Sequence, residues 1–203
     1  LALAIGFEAI SRAGVTASQL PTVFSSSGGD GNNCHEICQT LATEDRQISP
    51  TRFHNSVHNA ASGYWSIAAG ATPASSVLCA FDASFGAGLL EALTQVVVDR
   101  TSVLLIAYDA GYPEPLRTAR PIPDAFGIAM VLAPDDSAGV PIITASLTDE
   151  PADRMRDPNL EALRTGIPAA RSLPLLARLA RGDCGRAVID YLEPQRIAIQ
   201  VST

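Results

Sequence analysis

Two rhythms of apolar and polar positions run along the chain. The opening stretch "LALAIGFEAISRAG" repeats its apolar residues at helical spacing, predicting an amphipathic helix already under way at Leu1 and a further segment upstream of it. "TVFSSSGG" reads as a short strand ending at Gly28-Gly29, and "NNCHEICQTLAT" as a helix capped by Asn32 or Asn33. "SPTRFHNSVHNAASGYWSIAAG" begins as a turn and becomes helical. A continuous apolar run, "SSVLCAFD", then leads into the helical "SFGAGLLEALTQVVVD" and a second continuous run, "TSVLLIAYDA". Fully apolar strands separated by helices predict βαβ crossovers, and so a largely parallel sheet covered on both faces.

Beyond Gly111 the rhythm changes. "GYPEPLRTARPIPD" holds four of the 14 prolines and is predicted to be an irregular surface excursion, because Pro neither continues a helix nor donates to a ladder. "AFGIAMVLAP" and "PIITASLTDE" read as an antiparallel pair joined by the polar turn "DDSAGV". "DEPADRMRDPN" reads as loop, "SLPLLARLARG" as an amphipathic helix stopped by Gly182, and "GRAVIDYLEPQRIAIQV" as a hairpin turning at Glu193-Pro194. The expected fold class is α/β: a mixed, mostly parallel sheet covered by helices, with an antiparallel C-terminal extension.

Composition narrows the functions. At 203 residues and 47% hydrophobic content the chain is long enough for one sizeable core, so residues 1–203 are expected to form a single domain. A net charge of -7 argues against a nucleic-acid or anionic-membrane surface, since both partners are bound through clustered positive charge. All 14 basic residues are Arg, which excludes Schiff-base chemistry and a P-loop lysine. The opening run lacks a basic n-region and carries Glu8 and Arg12, so it is not read as a signal peptide. No stretch reaches the roughly 18 uninterrupted apolar residues of a membrane span. The expected location is the cytoplasm. Cys34, Cys38, Cys79 and Cys184 form no CxxC pair, and Cys79 is expected to be a buried, reduced thiol.

Ser84 is the candidate nucleophile. "DASFG" is one substitution from G-x-S-x-G, with Asp82 in place of the first Gly, and that elbow exposes a hydroxyl at a strand-to-helix corner. Activation needs a base, yet His35, His54 and His58 all precede Ser84 and no His follows it. The competing structural role is a helix cap, with Asp82 or Ser84 as acceptor. A serine acyltransferase or thioesterase using His54 or His58 remains as the alternative function. Neither His54-x-x-x-His58 nor Cys34, His35 and Cys38 is expected to hold metal: the first lacks a third ligand, and in the second His35 turns about 100° away from the cysteines on a helix. Gly28-Gly29-Asp30-Gly31 reads as a tight turn rather than a phosphate loop.

"SSVLCAFDASFGAGLLEAL" resembles the stretch of β-ketoacyl-acyl carrier protein synthases in which a buried strand delivers the catalytic cysteine to the central helix, and Ser84 occupies the cysteine's place. Asn59, Ala60, Ala61 and Ser66-Ile67 match the family's N-x-A-A-G-x-V-S-I segment, and "RPIPDAFGIAMVLAP" resembles its P-F-D to L-V-L-E passage, so the likeness is strongest over 1–134 and residues 135–203 diverge. The resemblance implies a half-size, thiolase-like layered fold without a cofactor. It also implies two catalytic histidines from a second half, but residues 135–203 contain no His. The implied role is that of a chain-length factor, a ketosynthase-like protein without the cysteine, similar to those of aryl-polyene pathways. Its expected partner is a ketosynthase or a second copy of itself, with an acyl carrier protein as a further partner. His54, His58, Asn59, Tyr64, Trp65 and Phe85 are candidates for the acyl pocket or interface, although Trp65 suits the domain's own core equally. Arg171, Arg178 and Arg181 are candidates for gripping the acidic carrier, against the simpler reading of a solvated helix face.

Overall fold

The computed structural model describes residues 1–134 and 139–202. Helix α1 (Ala2–Ala13) stops at Gly14, whose left-handed backbone lets its N–H donate to the Ile10 carbonyl. Strand β1 (Thr22–Ser25) follows and is fully buried. The next helix, α2 (Gly31–Leu41), is capped by Asp30, which accepts the Asn33 N–H at 2.9 Å. The cap is therefore neither Asn32 nor Asn33; the carboxylate of Asp30, two residues before Asn32, satisfies the first turn. Helices α3 (Pro50–His54) and α4 (Ala60–Ala69), strand β2 (Ser75–Leu78), helix α5 (Ser84–Asp99) and strand β3 (Val103–Asp109) complete the crossover region.

The rest of the chain holds helix α6 (Leu116–Ala119), strand β4 (Phe126–Leu132), strand β5 (Ile142–Thr148) and helix α7 (Pro158–Gly166). A 3-10 turn (Pro168–Ser172), helix α8 (Leu173–Arg181) and strands β6 (Gly185–Asp190) and β7 (Arg196–Ser202) follow. The β6-β7 hairpin turns at Glu193-Pro194 and α8 ends at Gly182, both as predicted. "DEPADRMRDPN" is irregular up to Asp157, which caps α7.

Two sheets form. The first has the order β2-β1-β3-β4, with β1 parallel to β2 and β3, and β4 antiparallel to β3. The second, β5-β7-β6, is antiparallel throughout. The predicted β4-β5 pair does not exist. After the 110–125 excursion β4 pairs with the edge of β3 that β1 does not cover, and β5 pairs with β7; of the expected turn, residues 135–138 lie outside the described residues. The excursion is not wholly superficial either, since Ile122 is buried against Ile167 and Ala170.

Strand β2 corrects another expectation. It lies at a sheet edge and is only partly buried, and Cys79 beyond it is exposed, with its thiol donating to the Ser27 carbonyl at 3.2 Å. An apolar run does not distinguish a central strand from an edge strand.

Helix α5 carries the core. Phe85, Leu89, Ala92 and Val96 pack with Val23, Val103 and Leu105 of the first sheet and with Ile189, Ile197 and Ile199 of the second, so both sheets share one apolar cluster. Burial of each large side chain contributes about 1.5–3 kcal/mol. With its preceding turn, Phe81–Asp99 is the one helix among the described residues long and apolar enough to cross a membrane, but it is the packed helix of this core. Helices α1 and α4 cover the other face of the first sheet, where Trp65 packs on Phe24, Leu104 and Ile106. Gly6 permits this, because a Cβ there would come within 2.7 Å of the Trp65 ring.

Candidate functional site

The strand-to-helix corner runs from β2 through a 3-10 turn, Phe81–Ala83, into α5. Phe81 holds φ at +52°, a left-handed conformation costly for a bulky residue. Its ring is exposed, and the Arg120 guanidinium stacks over it at 3.6 Å. Asp82 accepts from Arg120 at 2.6 Å and from Arg171 at 3.1 Å, which clamps the turn from two sides.

Ser84 is 1% exposed. Its hydroxyl donates to the Phe81 carbonyl at 2.7 Å and accepts the Ala80 N–H at 3.0 Å. The hydroxyl's one proton and one of its lone pairs are thus engaged by backbone, and neither partner is an imidazole. Ser84 is the first residue of α5 and no side chain caps that helix, so the cap assigned to Asp82 or Ser84 takes another form: the hydroxyl ties the turn before the helix. Two glycines bring the corner close to both sheets. A Cβ on Gly88 would lie 2.6 Å from the Ser25 Cβ, and one on Gly86 would lie 2.5 Å from the Asp190 carbonyl oxygen.

The histidines lie elsewhere. His54 ends α3 and is exposed, while His58 sits in the irregular segment before α4, so the two do not share one helix face. Among the described residues no group of three or more His, Cys, Asp or Glu is placed to hold a metal ion. His58 and Tyr64 line a cavity of about 590 Å³ with Asp30, Val57, Tyr108 and Tyr112. The His58 Nε2 is buried without a hydrogen-bond partner among the described residues, and the Tyr64 hydroxyl donates to Asn55 Oδ1 at 2.9 Å. Burial, with Asp109 and Asp30 nearby, pushes the Tyr108 phenol up to about 12, so it stays a neutral donor. Tyr112 lies against Gly28 and Gly31, where a side chain would collide with its ring; this close approach explains the glycine-rich turn.

Of the remaining candidates, Asn59 is exposed at the start of α4. Trp65 and Phe85 are fully buried in the two apolar clusters, and neither lines the cavity beside Tyr64. One residue of helix turns Tyr64 toward the cavity and Trp65 toward the core, against Phe7 and Phe24. Arg171 is no free docking group, because it bridges Asp82 and Asp190 from the turn before α8.

The sequence reading missed two polar anchors. Buried Asp109, at the end of β3, accepts from the Ser27 N–H and hydroxyl through one oxygen and from the Ala169 N–H through the other. Burial raises its pKa, and those three donors oppose the rise. Asp190 meets Arg164 at 2.8 Å and Arg171 at 3.3 Å, and Arg164 also makes a two-point contact with Glu161. These hydrogen bonds, with the Met155 N–H, lower the Glu161 carboxyl to about 2. Glu161 and Arg164 are helix neighbours, but the partners of Asp109, and Arg164 and Arg171 around Asp190, are distant in sequence, and no local pattern announces them.

A family model described as β-ketoacyl synthase, N-terminal domain, matches residues 5–183. The structure superimposes on a chain of the ketosynthase ApeO in complex with its chain length factor ApeC from Xenorhabdus doucetiae with a TM-score of 0.73 and 25% identity, covering 98% of this chain and 75% of that one. It also resembles AbyA1, a tetronic acid condensing enzyme, with a TM-score of 0.59 and 12% identity over 100% of this chain and 85% of that one. A third likeness is to the 3-oxoacyl-(acyl carrier protein) synthase III FabH from Pseudomonas aeruginosa PAO1, with a TM-score of 0.52 and 15% identity over 99% and 81% of the two chains. The last two show the fold alone, which is thiolase-like. No curated protein matches.

Proposed function

We propose that this chain, which belongs to the β-ketoacyl synthase N-terminal domain family, acts as a non-condensing subunit of the chain-length-factor type. The observation that carries this reading is the Ser84 hydroxyl. By the motif resemblance it takes the place of the family's nucleophile, and it is buried and engaged by the Ala80 N–H and the Phe81 carbonyl. An alcohol is a weak nucleophile without a base, and neither of its partners is one.

On this reading residues 1–203 work as a single unit in the cytoplasm that docks on an active ketosynthase and helps shape its acyl tunnel. The product class would be a polyketide of the aryl-polyene kind. The likeness to the ApeO and ApeC pair supports a ketosynthase partner. The free edge of β2 supplies backbone groups for strand addition, and Phe81, exposed three residues beyond its end, supplies apolar area. Tyr64 and His58 line the cavity beside Tyr108 and Tyr112, and Asn59 is exposed before α4, so these three are offered as acyl-pocket or interface residues on that separate face. Co-expression with the ketosynthase from the same source tests the pairing: the two chains should co-purify at one-to-one ratio, and a charged substitution at the exposed residue beyond the edge, Phe81→Glu, should separate them. A chain that runs only as a self-dimer, with or without the ketosynthase, would overturn the heterodimer.

A further inference from the structure

Half of the arginines are spoken for. Arg12, Arg52, Arg120, Arg164, Arg171, Arg186 and Arg196 each meet a carboxylate. Four others, Arg154, Arg156, Arg178 and Arg181, line one groove of about 390 Å³ and form no ion pair among the described residues. Four guanidiniums gathered in one place repel each other, and in a chain of net charge -7 nothing in the overall composition calls for such a cluster.

Both walls are held in place. Pro174, Ala177, Arg178 and Arg181 recur at helical spacing on one face of α8. Opposite runs the segment 153–156. The Asp153 N–H donates to the Val188 carbonyl, the Val188 N–H donates to Asp153 Oδ2, each at 2.9 Å, and the Met155 N–H donates to Glu161 Oε2 at 2.8 Å. Gly185, at φ +140°, leaves room for Arg178, whose Nη1 would lie 2.8 Å from a Cβ there. The groove's two carboxylates are Asp153, already engaged by Val188, and Asp183.

We propose that this groove binds a compact, multiply charged phosphate of the diphosphate class. Guanidinium forks match phosphate oxygens two at a time, and four of them around a small volume suit a dense anion. A broad acidic protein face would instead also lie over Asp153 and Asp183. This site is separate from the Ser84 corner and does not depend on the ketosynthase reading.

Titration calorimetry of the full chain with inorganic pyrophosphate at low salt tests the site. Saturable one-to-one binding is expected, and Arg154→Gln with Arg156→Gln, or Arg178→Gln with Arg181→Gln, should each weaken it about tenfold or more. Arg46→Gln with Arg117→Gln removes the same charge elsewhere and should leave affinity unchanged, with circular dichroism confirming that all variants fold. An ADP arm separates the sources: tighter binding than pyrophosphate points to a nucleotide, equal binding to the free diphosphate. Absence of saturable binding, or equal weakening by the control pair, overturns the proposal. So does loss of an acidic carrier protein's binding in the groove variants when pyrophosphate itself does not bind.

Discussion

Asp82 and Arg171 meet at 3.1 Å across 89 residues of sequence. Through Arg171 the corner that presents Ser84 is joined to Asp190 at the end of β6, and through Asp190 to Arg164 and Glu161. The second sheet therefore holds the corner in place as well as burying α5. Replacing Arg171 by Ala leaves Asp82 with Arg120 alone and should destabilise the fold by about 1.5–3 kcal/mol, the range for a hydrogen-bonded charge. Urea unfolding measures this. A double-mutant cycle with Asp190→Asn should give a clear coupling energy, whereas simple additivity would mean the contact is only a surface pair.

Glycine positions give opposite signs in one experiment. Gly86→Ala places a methyl group 2.5 Å from the backbone oxygen of Asp190, which cannot move aside without shifting the hairpin; overpacking of this kind costs about 1–3 kcal/mol. Gly63 lies inside α4 with open space around its Cβ position, so Gly63→Ala should stabilise by about 0.5–1 kcal/mol. Thermal melts of the two variants should move in opposite directions.

Glu161 sets a pH dependence with a definite sign. Hydrogen bonds from Arg164 and the Met155 N–H bring its pKa from 4.5 down to about 2, so the unfolded chain binds the proton more tightly than the folded one. The stability it contributes is complete above its ordinary value and is lost as the pH falls toward that of the folded state. The gap in melting temperature between wild type and Glu161→Gln should be wide at neutral pH and should close on acidification. A gap that stays constant down to low pH would show that Arg164 does not hold the carboxylate.

How much of this was legible in the sequence follows from the range of each interaction. Helix α5 and strand β3 announce themselves because burial on every side leaves a continuous or helically spaced apolar record, and Gly182 and Glu193-Pro194 mark their turns locally. The partner of β4 was not legible, since "AFGIAMVLAP" pairs equally well in composition with β3 or β5 and only the open edge of β3 decides. Cys79 was misplaced for the same reason, an edge strand being as apolar as a central one. Ser84 stood out by its motif, but what its hydroxyl bonds to depends on the path of Ala80 and Phe81. Asp109 and Asp190 left no trace at all, because each gathers donors from segments far apart in sequence.

Condensing activity, measured for the co-purifying ketosynthase, for this chain, and for the two together, bears most directly on the role of Ser84. This chain alone should form no condensed product, and the pair should work at the same rate within about twofold whether it carries the wild-type residue or Ser84→Ala. Product from this chain alone, or loss of the pair's activity with a Ser84→Ala chain that still folds and still binds the ketosynthase, would contradict a non-condensing subunit.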